Sequence, residues 1–377
     1  FGSSIGLFQG LIRCSGVAVC LAMLSRFLAL VAVAKAELPS EVTGFVAQST
    51  SLPTALSVFP TPQLGSLHKK FVDLPDSCEV LVAVAVSSVN PADRYVSEPL
   101  PQVMGSDLAG TVIAVEDSCQ RLQVGDKVWA DIGAVTETSD GKGKENGAYA
   151  QIAVALESQL GLMPRNLDFT EAGVLPKVSL TSYKALQWYG GAPYHDREVT
   201  VLMLGGSGGT GTTGIQMAKA WGATTVITTT SQANADYVTS LGADRVIDYH
   251  TQNWWDEDVV ADNSVDVIYD AVGQSGTGDR AMPKLRTGGF YVSLRGQMPS
   301  QPRDDVSSNF FINSDTNLDN VELLDSIRDL VQADQLHMRS ITLYNLANIT
   351  GAFYESSEGH VNGKIAVVMP GFSDVVV

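Results

Sequence analysis

Val201-Leu202-Met203-Leu204-Gly205-Gly206-Ser207-Gly208-Gly209-Thr210-Gly211-Thr212-Thr213-Gly214 is the stretch on which the fold turns. An apolar β-type run enters a glycine-rich turn, and Ile215-Gln216-Met217-Ala218-Lys219-Ala220 carries it on as a helix. A helix starting there aims backbone N–H groups and its positive end at a pyrophosphate, and glycine lets the ligand come close. Two registers fit: G-x-G-x-x-G at Gly209, Gly211 and Gly214, or G-x-x-G-x-x-G at Gly205, Gly208 and Gly211. Glycine spacing alone is weak evidence, since a plain glycine-rich loop satisfies it. The same residues contain a G-x-S-x-G, with Ser207 as a nucleophile and Asp270 with His337 or His360 as partners in chain order. That elbow does not need Gly211 and Gly214, and no downstream histidine sits in an obvious loop constellation. No G-x-x-x-x-G-K-[ST] occurs and no Y-x-x-x-K, which excludes a P-loop and argues against short-chain dehydrogenase chemistry.

Outward from the turn, β-branched or aromatic runs recur at 199–204, 224–230, 245–249, 265–269 and 290–294, separated by helix-type segments at 210–221, 233–241 and 278–285. Parallel neighbours need crossovers, so this alternation predicts a doubly wound parallel sheet. With Asp270-Ala271-Val272-Gly273 following in step, the turn reads as a dinucleotide site built from Gly205, Ser207, Gly208, Gly209, Thr210 and Gly211. Tyr249 and Val272, at the ends of later strands, join the candidate set. An NAD-preferring site places a carboxylate at the end of the second strand. Here the segment is Thr228-Thr229-Thr230-Ser231-Gln232-Ala233-Asn234, with no acid before Asp236 and no Lys or Arg. Thr230 and Ser231 therefore favour NADPH, because no carboxylate repels a 2′-phosphate. A further amphipathic helix is expected at 319–333, then 337–344 and a last strand at 364–369.

From Glu41 to about Met163 short β-type runs, 80–86, 110–115, 127–130 and 149–155, are broken by prolines and Gly125-Asp126. They predict a compact strand-rich barrel. Glu137–Asn146 is polar and glycine-containing and reads as a surface loop. Before them, residues 1–36 hold no acid, and the apolar run 27–34 ends in Ala34-Lys35-Ala36 ahead of Glu37. This reads as a cleaved targeting leader, with an uncleaved anchor and upstream read-through before Met23 as alternatives. No later stretch looks transmembrane.

The whole chain has 377 residues, enough for about two domains. Its 24 basic against 41 acidic side chains leave a net charge of −17, which argues against a nucleic-acid partner. With 45% hydrophobic and 17% charged residues it can bury a sizeable core. Four cysteines cannot form a disulfide scaffold and mildly favour a reducing compartment.

These residues together resemble the medium-chain dehydrogenase/reductase superfamily, in its zinc-independent quinone oxidoreductase-like, reticulon-interacting mitochondrial-type branch. The carriers include Ser88-Val89-Asn90-Pro91-Ala92-Asp93, Met104-Gly105-Ser106-Asp107-Leu108-Ala109-Gly110, Val124-Gly125-Asp126-Lys127-Val128-Trp129, Leu180-Thr181-Ser182-Tyr183 and Gly363-Lys364-Ile365. The resemblance implies an α/β chain with a GroES-like β-barrel domain (37–165 and 346–377) and an inserted Rossmann doubly wound parallel sheet domain (166–345), with the cleft between them. It also implies NADPH as cofactor, a small-molecule quinone or enone as substrate, and leaves a homodimer open. Zinc-bearing relatives place His where Ser106 stands, and no Cys lies near Asn90, so metal ligands are expected to be absent. Asn90 and Tyr95 occupy the family's amide and phenol positions beside the nicotinamide, and Thr181 that of a threonine near the cofactor. For these the bland readings are a turn-stabilising amide, a rim residue and a hydroxyl bonded to its own helix. Asp107 is expected to hold the loop rather than act as a base. The chain departs from the family in a short segment after Tyr95 and in Thr210, where valine is common. The implied activity is hydride transfer to a conjugated carbonyl, against a catalytically quiet NADPH-binding protein. The leader favours a mitochondrion or plastid, with the secretory pathway left open by FLALVAVA-AKA and the sequon Asn348-Ile349-Thr350.

Overall fold

A computed structural model describes residues 38–48, 55–71, 74–94, 96, 100–133, 135–138, 141–313 and 320–371. The segment expected to be a leader, residues 1–36, and Tyr95 lie outside the described residues. Contacts separate Phe1–Glu41 from one compact unit, Val42–Val377, which holds everything below.

The barrel part begins with strands β1 (Glu41–Ala47), β2 (Ala55–Pro60), β3 (Glu79–Val89), β4 (Gln102–Val103), β5 (Asp107–Val115) and β6 (Lys127–Asp131). It continues with β7 (Val135–Thr138), β8 (Gly141–Lys144), β9 (Ile152–Leu156) and β10 (Gly161–Leu162). Strand β3 is the hub, pairing antiparallel with both β5 and β9. Its valines at 80, 82, 84 and 86 are all buried, because further layers cover both faces of the strand. Each such side chain contributes about 1.5–3 kcal/mol relative to exposure. Around β3 the sequence therefore reads as a near-continuous apolar run, not as a half-polar alternation. The segment read as a surface loop at 137–146 contains an antiparallel hairpin instead, with β7 paired to β8 from Val135↔Lys144 to Thr138↔Gly141. Backbone hydrogen bonds make that hairpin, and its glycines and lysines offer no apolar alternation to announce it.

The second part follows helices α1 (Ser66–Lys70), α2 (Phe169–Ala172) and α3 (Pro176–Trp188). It has β11 (Thr200–Leu204), α4 (Gly209–Ala220), β12 (Thr225–Thr230), α5 (Ala235–Ser240), β13 (Arg245–Asp248) and β14 (Val265–Asp270). Helix α6 (Thr277–Lys284), β15 (Leu285–Ser293), β16 (Ser307–Phe310) and α7 (Val321–Gln332) complete it. All six strands are parallel, in the order β13-β12-β11-β14-β15-β16. Numbered from the first, that is 3-2-1-4-5-6, a doubly wound Rossmann sheet whose order reverses beside β11. The fold class is thus the α/β pairing of a GroES-like barrel with a Rossmann sheet.

The chain then returns to the barrel through β17 (Ile341–Asn345), α8 (Ile349–Glu358) and β18 (Lys364–Val368). Strand β17 pairs parallel with β18, and β18 pairs antiparallel with β3, extending the barrel sheet. Pairing thus sets residues 341–345 in the barrel sheet, ahead of the 345/346 boundary that the sequence reading placed. Among the described residues one disulfide, Cys78–Cys119, joins the start of β3 to the turn after β5.

Candidate cofactor and substrate cleft

The glycine-rich turn leaves β11 at the point where the strand order reverses. Gly205 has φ 86°, and its N–H donates to Thr229 Oγ1 at 2.9 Å. A Cβ at Gly211 would lie 2.1 Å from Gly205 O, so α4 packs directly on the turn there. Both contacts fall on glycines of the Gly205, Gly208, Gly211 register, while Gly211 also belongs to the other. Gly214 instead packs α4 on the sheet, against Met203 and Tyr269. The N–H groups of the first helical turn have no intrahelical acceptor, and no acid stands in that turn. A Cβ at Gly208 would meet nothing nearer than Gly205 O at 3.7 Å, which leaves an open, positively polarised cradle fit for a pyrophosphate.

Around that cradle the structure gathers several of the sequence candidates. Ser207 Oγ accepts from Thr230 Oγ1 at 2.8 Å and from Asn234 Nδ2 at 3.3 Å. Asn362, ahead of β18, donates to Asn234 Oδ1 at 3.1 Å, while its own Oδ1 is buried with no hydrogen-bond partner. That orphaned acceptor is suited to a hydroxyl. The N–H of Tyr249 reaches Thr230 O at 3.2 Å, and its half-exposed ring stacks on His250 with centroids 4.3 Å apart. Val272 is exposed beyond β14. Asp270 is occupied by the N–H groups of Val272 and Gly273 and by Tyr291 OH, and burial pushes its pKa up. Ser207 bonds no histidine, and the backbone N–H of His337 binds Gln216 Oε1, so no hydrolase triad forms.

The barrel faces this turn with a buried polar network at the end of β3. Asn90 is 2% exposed. Its Nδ2 donates to Asp107 Oδ2 at 2.7 Å and lies 3.4 Å from Ser106 Oγ. Its Oδ1 accepts from Lys364 Nζ at 2.7 Å. Asp107 also takes Ser88 Oγ at 2.5 Å and the backbone N–H of Lys177 at 2.7 Å, a fastening role that matches its expectation. Ser106 Oγ donates to Asp93 Oδ1, and Tyr149 OH reaches Asp93 Oδ2 at 2.8 Å. Burial raises the Tyr149 pKa well above its usual value, with Asp93 adding to it. Burial holds Lys364 below the usual lysine range, against the pull of Asp107 and Asp93.

Helix α3 closes the far side. Lys177 Nζ pairs with Asp131 at 2.8 Å and donates to Asn313 O. Burial pushes Asp131 up to about 6 in spite of Lys177. Burial opposes the charge of Lys177, but Asp131 and Asp93 hold it above the usual lysine range. Thr181 Oγ1 donates to Lys177 O at 2.6 Å, on its own helix, which leaves its oxygen as an acceptor. Lys364, Asn234 and Asn362 are the residues that sequence reasoning left without a role. Lys364 stood inside a quoted family block, but nothing in the spacing said that its ammonium meets Asn90.

Residues 76–165 match the alcohol dehydrogenase GroES-like domain, and 209–330 the zinc-binding dehydrogenase family. A tomato 2-methylene-furan-3-one reductase is 34% identical over 277 residues, covering 69% of this chain and 68% of its own. The chain belongs to the medium-chain dehydrogenase/reductase superfamily. Within this superfamily it is also 34% identical to the Arabidopsis chloroplastic NADPH-dependent alkenal/one oxidoreductase, covering 61% of this chain and 59% of the relative. The quinone oxidoreductase of Coxiella burnetii superposes with a TM-score of 0.67 at 25% identity, over 87% of this chain and 99% of that structure. The zinc in the family's description does not fit this superfamily member's cleft: Asn90, Ser106, Asp93, Asp107 and Lys364 include no thiolate or imidazole, and the carboxylates are committed to the bonds above. Among the described residues the one cluster of metal-type donors is Cys78, Cys119 and Glu157, which contains the disulfide.

Proposed function

We propose that the chain is an NADPH-dependent, zinc-independent reductase that passes a hydride to a quinone or an α,β-unsaturated carbonyl. The observation that carries this is the backbone bond from Gly363 N to Ser207 O at 2.8 Å. It sets the glycine cradle directly against the strand whose next residue, Lys364, holds Asn90. NADPH, when bound, supplies the hydride. The free N–H groups at the start of α4 bind the pyrophosphate, and Thr230, Ser231 and Asn234 line the ribose end without a carboxylate. With no metal to polarise the acceptor, side-chain donors meet its oxygen as charge develops. Asn90 is the described donor, and Tyr95 is proposed as a second.

Relatives named for alkenal, furanone and quinone reduction support a small-molecule acceptor of this conjugated class. A chloroplastic relative agrees with delivery to an organelle, and no helix among the described residues is long and apolar enough to cross a membrane. The disulfide weighs against a strongly reducing compartment.

The test is oxidation of NADPH and NADH by the full chain with 9,10-phenanthrenequinone, 1,4-benzoquinone and a 2-alkenal. Turnover with NADPH above NADH on either acceptor class supports the reading. Tight NADPH binding with no turnover on any acceptor would replace it with a catalytically quiet binding protein.

A further inference from the structure

Asn90 sits between two groups that fix its amide without ambiguity. Lys364 Nζ is a donor only and Asp107 an acceptor only, so the amide cannot flip without setting like against like. Asn90 Nδ2 is held by Asp107 Oδ2 at 2.7 Å, while its contact with Ser106 Oγ, at 3.4 Å, is the loosest of the network. That loose contact is the one an acceptor's oxygen would replace. An ammonium bound to the amide oxygen draws electron density from the nitrogen and strengthens that donor. The same lysine touches the cofactor side: a Cβ at Gly209 would lie 2.7 Å from its Cδ, and Gly363 before it is bonded to Ser207. Its remaining contacts are Val89 O at 3.1 Å and Asp107 Oδ2 at 3.5 Å, so the ammonium is committed to the barrel network and not to the cradle.

We infer that Lys364 is a positioning residue of the reduction: through its bond to Oδ1 it orients and polarises Asn90, so that the Asn90 amide presents an N–H to the oxygen that gains charge as hydride arrives. The inference rests on the reductase reading above. Lys364 acts through Asn90, so it governs the chemical step more than cofactor affinity.

Its test is a cycle of wild type, Lys364→Met, Asn90→Ala and the double variant. NADPH affinity is read by nicotinamide fluorescence, and kcat with whichever acceptor the wild type turns over. The expected result is a fall in kcat of about 30-fold or more in Lys364→Met with NADPH Kd within about threefold, and a double variant within about threefold of Asn90→Ala alone. Lys364→Gln, which keeps an N–H donor and loses the charge, falls between and covers the case in which Lys364→Met does not fold. The pH profile adds a readout that packing alone would not move. Facing the ammonium are Asp107 on β5, Asp93 in the Pro91–Arg94 turn and Lys177 on α3. The wild type should lose kcat on its alkaline limb, and Lys364→Gln should lack that limb. Independent, multiplying effects of the two substitutions, or a Lys364→Gln variant with wild-type kcat and pH profile, would overturn the inference while leaving the reductase reading standing. A wild type that binds NADPH and turns over neither acceptor class overturns that reading, and this role with it.

Discussion

Adding one methyl group at either of two neighbouring glycines should separate folding from cofactor binding. In Gly211→Ala the new Cβ falls 2.1 Å from Gly205 O, 2.6 Å from Gly206 Cα and 2.7 Å from Gly206 C, all of it backbone. The helix must move off the turn by about 1 Å, at an overpacking cost of about 1–3 kcal/mol. Alanine returns about 1 kcal/mol of helix propensity, so the net loss of stability is at most on the order of 2 kcal/mol. NADPH affinity should fall as well, by roughly tenfold or more, because the N–H groups of the cradle move with the helix. Gly208→Ala differs: Gly208 has φ −75° and ψ 169°, which any residue adopts, and no other atom within 3.7 Å of the added Cβ. Its unfolding free energy should stay within about 0.5 kcal/mol of wild type, as for a surface change. NADPH affinity should nonetheless drop roughly tenfold or more, since the methyl occupies the approach of the pyrophosphate. Urea unfolding and fluorescence titration of both variants check this. A Gly208→Ala protein that binds NADPH as the wild type does would refute the placement of the dinucleotide.

Three other outcomes follow from particular side chains. Ser231→Asp restores a carboxylate at the end of β12 and should lower the NADPH-to-NADH ratio of kcat/KM by about tenfold or more; an unchanged ratio would deny that this end meets the 2′-phosphate. The Cys78–Cys119 bridge spans a sequence separation of 41, for which the chain-entropy model gives about 4 kcal/mol, so Cys119→Ala or dithiothreitol should lower stability by roughly 2–4 kcal/mol. Asp131 is raised from 3.8 to about 6 by burial, so the native state holds a proton that the unfolded state has lost between about pH 4 and pH 6. Stability should therefore decline as pH rises through that window, by up to about 3 kcal/mol, and Asp131→Asn should flatten the slope in urea titrations at pH 4–7.

What could be read from the chain in advance was whatever local pattern dictates. The run into Gly205 and the β-branched segments that follow gave the Rossmann half, because parallel strands and their crossovers leave periodic traces, and the missing acid before Asp236 gave the expected preference for NADPH. The barrel was legible from turn punctuation, apart from the 135–144 hairpin, whose polar residues carry no alternation. Side-chain partnerships were not legible. Asn90 and Lys364 are 274 positions apart and meet only because β18 returns to β3. The same return sets Asn362 beside Asn234 and ties residues 341–345 into the barrel sheet. Cys78 and Cys119 likewise come together through the pairing of β3 with β5, which no spacing of cysteines announces.

The most direct measurement is an anaerobic reaction of the full chain with NADPH deuterated at the transferring C4 position and a 2-alkenal or 9,10-phenanthrenequinone. The account predicts that NADPH and acceptor disappear one for one, that the deuterium leaves the nicotinamide, and that with the alkenal it appears on the β-carbon of the product. NADPH that binds tightly but keeps its deuterium with both acceptors would contradict it.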